Sequence, residues 1–87
     1  MERGIADERM RAAVRIVVER HPELDGDGRG WFGGGLQGDT RGRYQAVGRM
    51  QEDGGRGFVV DVVTGHVLRE LALRRTTDLP RDVSGLV

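Results

Sequence analysis

The sequence predicts an α+β fold: one N-terminal helix packed on a small antiparallel sheet of three to four strands. Three observations lead there. Residues Ala6 to Arg20 carry apolar side chains at three- and four-residue spacing, the pattern of one buried helix face. Gly57 to Val63 gathers Phe58, Val59, Val60, Val62 and Val63 around a single Asp61, a composition that suits a pleated strand. The chain has 87 residues, enough for one domain with one modest core, most simply a helix laid on a sheet.

In the helix, Ala6, Met10, Ala13, Val14, Val17 and Val18 line one face, while Arg9, Arg11, Arg15, Glu19 and Arg20 fall largely on the other. Asp7 is expected to cap its start, and Glu8 favours the first turn through the helix dipole. Repeated valine lowers intrinsic helix propensity, so packing must hold the segment. It should end near His21, because Pro22 pushes the preceding residue out of helical geometry.

The stretch 25–42 is Gly-rich, and Trp31, Phe32 and Leu36 are its only large apolar side chains. Adjacent Trp and Phe are rarely left wholly in water, so a short strand around Trp31–Leu36 is expected to dip into the core. Arg43 to Gln51 alternates, with Tyr44, Ala46 and Met50 on one side, and reads as a strand. Glu52-Asp53-Gly54-Gly55 and Thr64-Gly65 supply turns. His66 to Leu73 suits a strand or a short helix, with strand favoured at its start. From Arg74 onward the Thr, Asp, Pro and Gly signals predict a loose tail trailing over the surface.

Fourteen basic residues balance fourteen acidic ones, which removes the simplest argument for a nucleic-acid or anionic-membrane partner. Every cation is Arg and none is Lys, as a GC-rich coding sequence would produce. The absence of Cys excludes disulfides, thiolate chemistry and Cys-containing zinc sites. Acids and arginines interrupt the first twenty residues, no apolar run reaches membrane-spanning length, and a cytoplasmic location is expected.

The run Tyr44-Gln45-Ala46-Val47-Gly48-Arg49, the turn at Asp53-Gly54-Gly55, and the stretch from Gly57 to Leu68 ending in Val63-Thr64-Gly65-His66-Val67-Leu68 together resemble the hairpin of PepSY-like domains. In that family a helix precedes two or three strands, and the helix at Ala6–Arg20 sits in the corresponding place. A similar pattern occurs in small immunity proteins with a nuclear-transport-factor-like fold. The resemblance implies a helix against an antiparallel sheet and a role as an adaptor or inhibitor. PepSY-like domains are typically extracytoplasmic or membrane-linked; this sequence departs from them in having no secretory signal and in its Gly-rich segment.

Other motifs carry little chemistry. Asp25-Gly26-Asp27-Gly28-Arg29-Gly30 has the opening letters of a calcium loop, but Arg29 and Leu36 occupy places that need oxygen donors. The spacing Gly28-x-Gly30-x-x-Gly33 lacks a helix that could begin at Gly33-Gly34-Gly35. Ser84 is the sole serine and has no neighbouring base. His21 should meet the last helical carbonyls. His66, with Arg69 and Glu70, offers the letters of general acid–base chemistry on a phosphodiester, although solvated strand-face charges explain them as well. Asp61 is expected to face solvent from its strand.

These readings predict a small protein-binding module, an inhibitor, immunity or accessory protein acting through its sheet face or an edge strand. The partner would be another protein, or a second copy in a homodimer that adds buried area. Trp31, Phe32, Tyr44, Arg43 and Arg49 are the candidate partner-binding residues. An Arg-based nucleic-acid-binding protein is the alternative, with Arg41, Arg43, Arg49 and Arg56 gathered beside Trp31 and Tyr44. A small His/Glu/Arg enzyme is a further one. No catalytic residue, cofactor or metal is assigned.

Overall fold

Helix α1 runs from Arg3 to Arg20, beginning three residues before the periodicity predicts, so Asp7 lies inside the helix rather than at its cap. The computed structural model describes residues 3–24 and 30–86; the calcium-like segment 25–29 lies outside the described residues. Ala13 and Val17 are fully buried, and Met10, Val14 and Ile16 pack around them. The last turn closes with His21 N–H donating to the Val17 carbonyl at 2.8 Å. Pro22 then opens a single 3-10 turn, Pro22–Leu24, that folds Leu24 down into the core.

Four antiparallel strands follow in simple meander order: β1 (Trp31–Gly35), β2 (Tyr44–Gln51), β3 (Gly54–Asp61) and β4 (His66–Leu73). The fold is therefore α+β, one helix on a four-stranded antiparallel sheet. The β2–β3 ladder closes at Gln51 opposite Gly54, so Glu52 and Asp53 alone form the turn. As a result β3 starts earlier than its apolar run and stops at Asp61. Val62 and Val63 pass into the next turn. The ambiguous segment 66–73 is strand throughout, since pairing with β3 satisfies its backbone; a bulge between Val59 and Val60 leaves Leu68 as the extra residue of β4.

Alternation divides the sheet into two faces. Val47, Phe58 and Val60 meet Ala13, Val17 and Leu24 under the helix. Ala46, Val59 and Leu73 form a second cluster with Leu36 and Leu79 on the opposite face. That second face is covered by residues 74–86, and here the expectation of a loose tail fails. The Asp78 carboxylate accepts the Arg74 and Arg75 N–H groups at 2.8 and 2.9 Å and turns the chain back. Leu79 is then only 8% exposed. Gln37 N–H donates to the Arg81 carbonyl at 2.8 Å, and Val83 N–H donates to the Gln37 carbonyl at 3.0 Å, so this strap is hydrogen-bonded in place.

Glycine makes room for the strap. Gly48 pairs with Gly57 across β2 and β3, which cuts a trough in the second face. A Cβ on Gly57 would stand 2.9 Å from Leu79 Cδ1, and one on Gly48 would stand 2.7 Å from Phe32 Cζ. Only residues without a side chain let Phe32 and Leu79 approach the backbone so closely. Among the described residues, no helix is long and apolar enough to cross a membrane.

Candidate functional site

With one face under α1 and the other under the strap, the sheet's remaining backbone surface is at its edges, β1 and β4. Unpaired N–H and C=O groups along an edge are a template for another strand unless charges or bulges blunt it. β4 is blunted: it carries His66, Arg69 and Glu70, and its bulge displaces Leu68. β1 reads Trp-Phe-Gly-Gly-Gly, with no charge and no register shift. Among the described residues no strand pairs with its outer side.

A groove lies on each side of this edge. On the helix side, a space of about 330 Å³ is lined by Arg9, Met10, Trp31, Gly35 and Gln45. On the strap side, about 780 Å³ is lined by Phe32, Gly34, Thr77, Leu79, Pro80 and Arg81, among others. The β1–β2 register puts Gly34 opposite Ala46 and Gly35 opposite Gln45, hence one glycine on each face. Neither has a positive φ, and a Cβ built on either meets nothing within 4 Å. Gly33 differs: its φ is +151°, and a Cβ there would collide with the Ala46 carbonyl.

Of the five predicted partner-binding residues, the structure brings together only some. Trp31 sits half-buried on the helix face beside Arg49, whose guanidinium carbon lies 5.7 Å from the ring centre. Phe32 sits on the other face with Tyr44. Successive strand residues point to opposite faces, so Trp31 and Phe32 lie on different sides of the sheet. Arg49 donates to the Leu24 carbonyl at 2.6 Å, which fastens the turn after α1. Arg43 donates from Nε to Asp61 at 2.6 Å. Among the arginines of the nucleic-acid alternative, Arg49 and Arg56 pair across β2 and β3, whereas Arg43 is tied to Asp61 at the far end of the same ladder. Among the described residues, the buried Trp31 Nε1–H finds no acceptor.

Asp61 reverses its expectation. It is 4% exposed and accepts from Arg43 and from the N–H groups of Val63 and Thr64 at 2.9 and 3.1 Å. It builds the β3–β4 turn rather than facing solvent. Burial works hardest on its carboxyl and opposes ionisation, but the Thr64, Arg43 and Val63 hydrogen bonds outweigh it, holding the group below its ordinary value.

Of the alternative acid–base set His66, Arg69 and Glu70, the first and last take different partners. His66 Nδ1 contacts Thr64 Oγ1 at 3.0 Å, while Glu70 turns to the helix face and meets His21. His21 Nε2 lies 3.0 Å from Glu70 Oε2, and its Nδ1 lies 3.4 Å from Arg56 Nη2 and 3.5 Å from Glu23 Oε2. Arg56 also donates to Glu23 at 3.1 Å. A His, two Glu and an Arg do converge here, each ring nitrogen facing a protein partner. The cluster anchors the helix C-terminus to β3 and β4, with the His21 ring against Phe58 at 5.4 Å.

The groove residues Arg9, Gly34, Gly35, Leu79 and Pro80 are not among the partner-binding candidates that the sequence suggests. The only local signal for them is three consecutive glycines inside a strand, where neither turn geometry nor strand propensity favours glycine. Compared with protein-family models, with curated proteins and with solved structures, the chain matches none.

Proposed function

We propose that this chain is a protein-binding module that takes an extended segment of a partner protein onto the outer edge of β1. The main-chain groups of the edge provide the hydrogen bonds, and the grooves on either side receive alternate side chains of the added strand. This narrows the expected mode to the edge, because α1 and the strap already occupy both sheet faces. An adaptor or inhibitor, the role implied by the PepSY-like resemblance, works in such a way.

One observation carries the reading. Gly34 and Gly35 have ordinary backbone angles and open space where a side chain would be, so the domain's own packing has no need of glycine there. Glycine within a strand costs about 0.5–1 kcal/mol relative to alanine. Two such positions side by side, each opening onto a groove, are explained by keeping the edge accessible.

Gly34→Val and Gly35→Val provide the test. Random peptides are displayed against the immobilised protein, and the selected binders are then measured against each variant. Both variants should melt at or above the wild-type temperature and lose the binders. Sedimentation shows whether a second copy occupies the same edge: a wild-type dimer that Gly34→Val dissolves would make this chain its own partner. Failure to select any binder, or binders that tolerate both valines, would refute the edge as the binding surface.

A further inference from the structure

The two grooves flanking β1 differ in chemistry, and that difference specifies the strand they accept. On the helix side, Arg9 is the only charged residue lining the groove among the described residues, and Gln45, 4% exposed, contributes a buried amide. Among the described residues, the Gln45 amide nitrogen has only the weak Met10 sulfur acceptor at 3.8 Å. The Arg9 guanidinium lies over the Gly42 backbone, where a Cβ would stand 2.6 Å from its Nη2, and it is close enough to Asp39 to help hold that carboxyl below its ordinary value. Around it, the exposed positions of α1 from residue 8 to 20 carry Arg9, Arg11, Arg15 and Arg20 against Glu8 and Glu19. The strap-side groove is larger, and there Phe32, Leu79 and Pro80 supply an apolar part beside the polar Thr76, Thr77, Arg81 and Asp82.

Resting on the β1-edge reading, we infer that the partner strand carries an acidic side chain facing α1, directly adjacent in sequence to an apolar side chain facing the strap. Neighbouring strand residues point to opposite faces, so one Asp or Glu reaches Arg9 and Gln45 while the next residue enters the Phe32–Leu79–Pro80 groove. Arginine holds a carboxylate with a fork of N–H donors. The glutamine amide supplies a further donor at the groove floor. On the strap side, Phe32 and Leu79 gain burial from an aliphatic or aromatic neighbour. Gly34 and Gly35 leave these two entries open, one on each face.

The test uses synthetic capped heptapeptides built on one selected binder, with Glu, Gln or Lys at the helix-side position and Leu or Ser at the neighbouring one. Binding is read from the emission of Trp31, the sole tryptophan, and by calorimetry. Glu should bind more tightly than Lys by about tenfold at low salt, the preference shrinking as salt rises. Arg9→Glu should invert that order, and Arg9→Gln should abolish it, with melting temperatures confirming that both variants fold. Leu should exceed Ser in wild type, and Gly34→Leu, which fills the strap-side groove, should remove this preference. Equal affinity for Glu and Lys, or an order that Arg9→Glu leaves unchanged, overturns the inference while β1 remains the edge that binds. Peptide binding that survives both Gly34→Val and Gly35→Val overturns the edge reading itself.

Discussion

Replacing Leu79 with alanine tests the structural premise on which the edge reading depends, namely that the strap is part of the folded core. Leu79 is 8% exposed and packs with Leu36, Ala46, Val59 and Leu73. Its Cδ1 fills the trough at Gly57, where even a single added carbon would come within 2.9 Å. Removing the side chain leaves a hole that the rigid sheet cannot close, although the strap can settle in part. Buried Leu→Ala changes cost about 2–5 kcal/mol, and partial settling places this one in the lower half, about 2–3 kcal/mol. A domain of this size has a total stability of roughly 4–13 kcal/mol, so the melting temperature should fall by roughly 8–24 °C. Urea unfolding followed by far-ultraviolet circular dichroism gives the change in midpoint. Trp31 fluorescence reports from the opposite face of the sheet, and the two probes should fall together. A loss under about 0.5 kcal/mol at unchanged slope would mean that the strap is not part of the cooperative unit. The second sheet face would then be open, and the argument that leaves β1 as the binding surface would collapse.

Three further outcomes follow from the packing. Val17 has no exposed surface, so Val17→Asp buries an unpaired charge and should abolish the thermal transition; a cooperative melt at the wild-type temperature would refute the helix–sheet core. Asp61→Asn should destabilise the domain in a pH-dependent way. Because its folded-state value is depressed, Asp61 contributes stability that is full above the ordinary aspartate value of 3.8 and disappears as pH falls through the lower folded value. The gap in melting temperature between wild type and Asp61→Asn should therefore narrow on acidification, and a gap constant from neutral to strongly acidic pH would contradict the turn-forming role. Trp31→Ala, at a half-buried position against the helix-side core, should cost at or below about 3 kcal/mol by urea unfolding, and no measurable loss would remove Trp31 from the core.

Much of this architecture is legible in the residues because its signals are local. The apolar period of Ala6 to Arg20 yields α1, and Pro22 ends it for a steric reason that needs no tertiary partner. Turn signals near Glu52-Asp53 and Thr64-Gly65 bracket β3, and the dense apolar run between them demands a strand, although the strand itself takes in Gly54-Gly55 and stops before Val62-Val63. Even the division of Trp31 from Phe32 was available from strand periodicity, since a strand around Trp31–Leu36 sends neighbours to opposite faces.

What the sequence by itself determined is thus the helix, the strands and the α+β class, because hydrophobic period and turn residues act over a few positions. Only the tertiary structure decided how the sheet's second face is closed and which surface remains. Leu79, Val83 and Leu86 have no period to announce them, and the burial of Leu79 depends on the room left at Gly57, many residues earlier. Asp61 looks solvent-facing until Arg43, eighteen positions away, is brought to its carboxylate. Likewise Glu70 meets His21 across forty-nine positions rather than its near neighbour His66. Whether a charge is paired, or a glycine packed against, depends on what the fold carries to it from distant parts of the chain. That is why the open space at Gly34 and Gly35, and the edge it exposes, appears only when the chain is folded.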